Sequence, residues 1–158
     1  MKDICLTHSE AIHAAICGSH RHLASLFQGD QQRFCGRHPW EHNIEGACGE
    51  MAAAIALNLH NPMTVNTYHD ADLGESIQVR CRSNHSYDLI IREDDNPEEF
   101  FVLVTGSCPY YQVHGFMLGE DGMREEFWAD PGNGGGAFFV PKDRLRPLEE
   151  IPVEARGI

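Results

Sequence analysis

Positive charge is scarce in this chain. Twelve Lys and Arg stand against 24 Asp and Glu, a formal net charge of −12 over 158 residues. That balance favours solubility and excludes a surface built for broad, nonspecific attraction to phosphate backbones, while leaving room for imitation of a nucleic acid. Long apolar runs are also missing, so no membrane association is expected. The first residues, Met1-Lys2-Asp3-Ile4-Cys5, lack the basic region, apolar core and small-residue site of a secretory leader. The six cysteines, at 5, 17, 35, 48, 81 and 108, are too sparse and irregular for a small disulfide scaffold. Reduced thiols in a cytoplasmic setting, most of them core residues, are the expectation. Repeats and long linkers are absent. The one glycine-rich run, Pro131-Gly132-Asn133-Gly134-Gly135-Gly136, lacks the Gly-Lys-Ser/Thr ending of a phosphate-cradling loop and reads as a hairpin or substrate-edge loop.

What is present suits one α/β domain. Residues 7–28 read as a helix, with Thr7 and Glu10 as a capping box and Ile12, Ile16, Leu23 and Leu26 as a partial apolar face. Residues 31–43 read as a polar surface connection. A second helix follows, flanked at its start by Gly46 and Gly49 and closed by Pro62; Ala47, Met51, Ile55 and Leu59 recur along it among further alanines, so burial is expected. Residues 64–68, 77–81, 88–92, 100–105, 111–118 and 137–140 have strand character, separated by Asn, Gly and Pro breaks. The order predicts N-terminal helices followed by a mostly antiparallel or mixed sheet.

Within the apolar second helix stands one carboxylate, Glu50. A buried carboxylate is costly unless a metal, a cation or hydrogen-bond donors compensate it, and Arg80 is the candidate partner if no metal serves. Asp72 follows in a turn, ahead of Ile77-Gln78-Val79-Arg80. Period-two alternation places Gln78 and Arg80 on one face of their strand. If Glu50 and Asp72 approach that face, Glu50, Asp72 and the Gln78 carbonyl form a hard-oxygen set for Mg²⁺, and Arg80 can stabilise charge on a phosphate. The competing account is a solvated strand face and a turn without chemistry.

Other constellations compete. Cys35, His38, His42 and Cys48 give C-x2-H-x3-H-x5-C, an alternative zinc set, against a polar loop plus one core cysteine. His13, Cys17 and His20 share one face of the first helix, from which His22 points away. Arg21, Arg33 and Arg37 with Trp40 form a candidate basic and aromatic patch. Glu93, Asp94, Asp95, Glu98 and Glu99, then Glu120, Asp121, Glu125 and Glu126, form a candidate phosphate-mimicking surface for a nucleic-acid-binding partner, or an ordinary solvated one.

Helical Gly46–Glu50, Asp72 and Gln78-Val79-Arg80 resemble the PD-(D/E)xK, restriction-endonuclease-like superfamily. Ile44-Glu45-Gly46-Ala47-Cys48-Gly49-Glu50, Ile77-Gln78-Val79-Arg80, Leu89-Ile90-Ile91-Arg92-Glu93-Asp94-Asp95, Phe101-Val102-Leu103-Val104-Thr105-Gly106 and Phe139-Val140-Pro141 with Leu145-Arg146-Pro147-Leu148 are similar to small bacteriophage and prophage proteins, over roughly residues 7–148. The resemblance implies a restriction-endonuclease-like core at 44–148, preceded by a helix and loop at 1–43 and followed by a tail at 149–158. It also implies Mg²⁺-dependent phosphodiester hydrolysis, with Glu50, Asp72, Gln78 and Arg80 as catalytic positions. Gln78 stands where the pattern has an acid and Arg80 where it has Lys, which changes the charge and the donor geometry. Two functional expectations follow. One is a nuclease acting on nucleic acid in the host-cell cytoplasm. The other is an inactive nuclease-like scaffold that binds a host defence or nucleic-acid-processing protein through its acidic surface.

Overall fold

Short runs rich in β-branched and aromatic residues in the second half of the chain build the framework. A computed structural model of the protein describes residues 1–28, 38–65, 70–130, 132 and 135–158. Strand β1 (Lys2–Cys5) is followed by helices α1 (His8–Gln28) and α2 (Pro39–Leu57), then by β2 (Ile77–Arg82), β3 (Leu89–Ile91), β4 (Phe100–Ser107) and β5 (Tyr110–Leu118). A one-turn helix, α3 (Gly119–Gly122), leads to β6 (Trp128–Ala129), β7 (Ala137–Val140) and a short α4 (Val153–Arg156). The result is one mixed α/β domain.

The larger sheet has the order β1-β5-β4-β2, antiparallel except that β2 runs parallel to β4; the smaller, β3-β7-β6, is antiparallel. Side chains of β4 sort by parity. Val102 and Val104 enter a core shared with α2, while Phe101 and Leu103 join Leu89, Ile91 and Val140 of the smaller sheet. The large sheet therefore lies between a helical layer and a second sheet.

The capping box forms: Thr7 donates to Glu10 Oε2 from both its backbone N–H and its Oγ1, each at 2.7 Å, and Thr7 Oγ1 accepts the Glu10 N–H at 3.3 Å. The buried face of α1 is not the one its large residues mark. Ala14, Cys17, Gly18, His22 and Ser25 are buried, whereas Ile12, Ile16, Leu23 and Leu26 are exposed. Close approach of two helices selects small residues. A Cβ at Gly18 would lie 2.5 Å from the Asn43 carbonyl oxygen of α2.

Helix α2 begins earlier than the apolar pattern suggests, with Pro39 in its first turn, so residues 39–43 are helical rather than a surface connection. It stops at Asn58 in a left-handed conformation, ahead of Pro62. Thr64 and Val65 are not in a strand, and residues 66–68 lie outside the described residues. Residues 149–158 pack back onto the domain: Ile151 and Ala155 are core residues, and the Glu75 N–H donates to the Ala155 carbonyl at 2.9 Å. Among the described residues no helix is long and apolar enough to cross a membrane.

Candidate functional site

Strand β2 is an outer strand of the large sheet, and its three exits carry the candidate residues. Ile77 and Val79 face the helices, Gln78 and Arg80 face the opposite way, and one edge of the backbone is unpaired by β4. That edge is covered by the preceding turn. The Ile77 N–H donates to the Leu73 carbonyl at 3.2 Å, and the Val79 N–H donates to Asp72 Oδ2 at 2.7 Å. Asp72 therefore sits on the rim between the two faces of the sheet.

On the helix face, Glu50 is buried, as its apolar surroundings suggest, but its partner is Arg21 rather than Arg80. Arg21 donates from Nη1 to Glu50 Oε1 at 2.5 Å and from Nη2 to Oε2 at 2.8 Å, while its Nε donates to the Thr64 carbonyl at 2.8 Å. This is the two-pronged geometry that suits guanidinium and carboxylate. Burial, and then the charge of Asp72, push the Glu50 carboxyl up to about 7, with Arg21 pulling the other way. Arg21 in turn is held more firmly protonated by Glu50 than its burial alone would allow.

On the opposite face, Arg80 donates from Nη2 to Asp95 Oδ2 at 2.8 Å and lies 5.0 Å over the Phe101 ring. The same Asp95 oxygen accepts the Arg92 N–H at 2.8 Å. Gln78 donates from Nε2 to Glu99 Oε1 and to the Asp70 carbonyl, both at 3.3 Å. Burial raises the carboxyls of Asp72 and Glu99, against the Val79 N–H at Asp72, the Gln78 amide at Glu99 and the Arg80 charge at both.

All four residues singled out from the sequence thus belong to one electrostatic cluster, though not on one face. Glu50 feels the charge of Asp72 from the helix side, whereas Gln78 and Arg80 lie on the other face of the strand. Three members had no sequence signal of their own. Arg21 reads as part of a basic patch, and Asp95 and Glu99 read as surface acids. Among these described residues four carboxylates, Glu50, Asp72, Asp95 and Glu99, accompany two guanidiniums, Arg21 and Arg80, at a partly desolvated rim.

The donor chemistry here suits a hard cation such as Mg²⁺, which proteins commonly hold through one or two carboxylates plus water and substrate oxygens. Both Glu50 oxygens are engaged by Arg21, so Asp72 is the first candidate ligand, with Glu50 and the Gln78 carbonyl joining if Arg21 yields. Among the described residues no three His, Cys, Asp or Glu side chains gather into a group that could hold a metal.

For the alternative zinc set, Cys35 lies outside the described residues, while His38 caps and His42 and Cys48 occupy α2. Burial, then Cys108, pushes the Cys48 thiol up to about 12, which keeps it protonated. His13, Cys17 and His20 do share one face and line a pocket, while His22 is buried edge-on to Trp40 at 4.4 Å. Of the basic patch, Arg21 turns inward, and Arg33 and Arg37 lie outside the described residues. Glu93, Glu98, Glu120, Glu125 and Glu126 are exposed, as an acidic surface requires.

No protein-family model, curated protein or solved structure matches the chain.

Proposed function

We propose that this chain is a nucleic-acid phosphodiesterase of the restriction-endonuclease-like kind, from a phage or prophage setting, with its centre at the rim of β2. The observation that carries this reading is the gathering of Glu50, Asp72, Asp95 and Glu99 about the rim of β2, where burial raises the carboxyls of Glu50, Asp72 and Glu99 above their ordinary range. The order of α2, then the Asp72 turn, then β2 supports it, since the resemblance implies a helical acid, a turn acid and a polar pair on the next strand.

A divalent cation would be held first by Asp72, joined by Glu50 and the Gln78 carbonyl if Arg21 yields, and would supply Lewis acidity toward the scissile phosphate. The chain's own residues do the rest. Arg80, and Arg21 when released from Glu50, donate to phosphate oxygens as negative charge builds. Glu99, raised by burial and held beside Gln78, is the carboxylate suited to take a proton from the attacking water.

The test is cleavage of single- and double-stranded DNA and RNA in Mg²⁺ or Mn²⁺. The wild type is expected to cleave at least one of them, and Glu50→Gln and Asp72→Asn to lose cleavage while retaining native circular dichroism. Absence of wild-type cleavage, or equal cleavage by both variants, contradicts the reading.

A second reading has its own observation: Glu50 and Arg80 are both closed in ion pairs. In that account the rim is structural, and the exposed acids engage a host defence or nucleic-acid-processing protein. Binding to such a partner would weaken with salt and in a Glu93→Gln/Glu98→Gln variant, and would survive Glu50→Gln. Salt-insensitive binding contradicts it.

A further inference from the structure

A pocket of about 550 Å³ opens between α1, α2 and the segment that follows α2. Its size is that of ordinary small-ligand sites. Ile16, Met51, Leu59 and Met63 give it apolar walls, and His20 and His60 stand among them as flat polar rings.

Two features tie this pocket to the rim of β2. Cys17 lines it one helical turn before Arg21, and its Sγ contacts the Met63 and Thr64 carbonyls at 3.4 and 3.6 Å, the second being the carbonyl that Arg21 Nε also binds. Met51 directly follows Glu50. Pocket and carboxylate cluster therefore share a wall, with the Arg21–Glu50 pair behind it.

Asn61 supplies a further clue. Its Oδ1 accepts the Met63 N–H at 2.9 Å, but its buried Nδ2 has no hydrogen-bond partner among the described residues. A buried amide donor left unmatched is uncommon and carries a free-energy cost, which a turn of the Asn61 side chain toward a ligand acceptor in the pocket would relieve. Apolar and sulfur-bearing walls, imidazole rings and one unmatched donor suit a flat heterocycle with a polar edge.

Resting on the phosphodiesterase reading, we propose that the pocket receives one unstacked nucleobase of the substrate, setting the neighbouring phosphate beside Arg21 and the cation that reading assigns to Asp72. The base would lie against Met51, Met63 and Ile16, and its edge would accept from Asn61. A base enters such a pocket from a single strand, or from a duplex after flipping out.

The experiment uses the full chain in Ca²⁺, a hard cation that takes the same oxygen ligands, with oligonucleotides carrying 2-aminopurine or an abasic site at successive positions, single-stranded and in duplex. Expected are a several-fold change in 2-aminopurine emission at one position, and about tenfold weaker binding when that position is abasic. An Ile16→Trp variant, which fills the mouth of the pocket, should lose the emission change. The abasic series needs no variant, so it stands even if Ile16→Trp misfolds. A stronger signal in single strand than in duplex identifies the source as an open strand; equal signals identify flipping, and both agree with the proposal. Wild-type binding that is insensitive to an abasic site at every position overturns the base pocket while leaving the phosphodiesterase reading intact. Absence of both binding and cleavage with every nucleic acid overturns both.

Discussion

The two faces of β2 treat charge differently. On the helix face, Arg21 and Glu50 form a closed, two-pronged pair whose side chains are 23% and 9% exposed. On the other face, Arg80 and Asp95 form a single-pronged pair that shares its acceptor with a backbone N–H and stands beside Gln78 and Glu99. Asp72 lies between them and belongs to neither pair. A paired buried charge is a packing element, costly to break and of little use while closed. On the proposed reading the rim, with more acids than cations, is the binding element, and a cation or a proton would satisfy its acids.

Breaking the inner pair should give the largest effect. Arg21→Met leaves Glu50 buried without its partner and is expected to destabilise the fold by about 3–5 kcal/mol, measured by chemical denaturation. Replacing both partners, Arg21→Met with Glu50→Leu, should recover most of that loss, because two apolar groups remove the desolvation penalty together with the pairing. A double variant as unstable as the single one would show that Arg21 matters through Thr64 instead.

The outer pair should matter less. Arg80→Met removes one charge-assisted bond from a partly wet position and is expected to cost about 1–2 kcal/mol. Equal losses for Arg21→Met and Arg80→Met would erase the distinction between the faces.

A pH series sharpens the comparison further. The Glu50 carboxyl is raised from an ordinary 4.5 to about 7 in the folded chain, so the native state holds its proton more tightly than the unfolded state. Its contribution to stability is full below pH 4.5 and is lost as pH rises through 7. His114 acts oppositely: burial, then Lys142 and His85, lower it from 6.5 to about 4, so its contribution is lost as pH falls from 6.5 toward 4. Subtracting variants isolates the rim. Asp72→Asn, which leaves His114 in place, should gain stability over the wild type as pH rises from 5 to 7.5, seen as a rising difference in thermal midpoint. A pH-independent difference would disconnect Asp72 from Glu50.

The smallest expected effect comes from Gln78→Glu. Adding a carboxylate beside Glu99 should lower the thermal midpoint slightly in EDTA and increase the midpoint gain on adding Mn²⁺. No difference in the Mn²⁺ gain would place Gln78 outside the cation's reach.

Much of this was legible where local chemistry decides structure. Alternation marked β2 and much of β5, a continuous apolar run marked β4, and Thr7 with Glu10 marked the start of α1. The buried face of α1 was not legible, because close helix packing favours Ala14 and Gly18 over the larger Ile12 and Ile16. Strand β1 was missed because four residues carry too little periodicity, and its order comes from pairing with β5 far along the chain. Glu50 announced its burial through its apolar neighbours. Its partner, 29 positions away on another helix, left no trace in local pattern. Asp95 and Glu99 were hidden in an acidic run whose neighbours Glu93 and Glu98 do face solvent.

The most direct test of the central claim is Mn²⁺ binding to the full chain, followed by electron paramagnetic resonance at pH 6 and pH 8. One bound ion per chain, tighter at pH 8 as protons leave the carboxylates and lost in Asp72→Asn, is the predicted result. Undetectable binding at both pH values, or binding unchanged in Asp72→Asn, would contradict a cation site at the rim of β2.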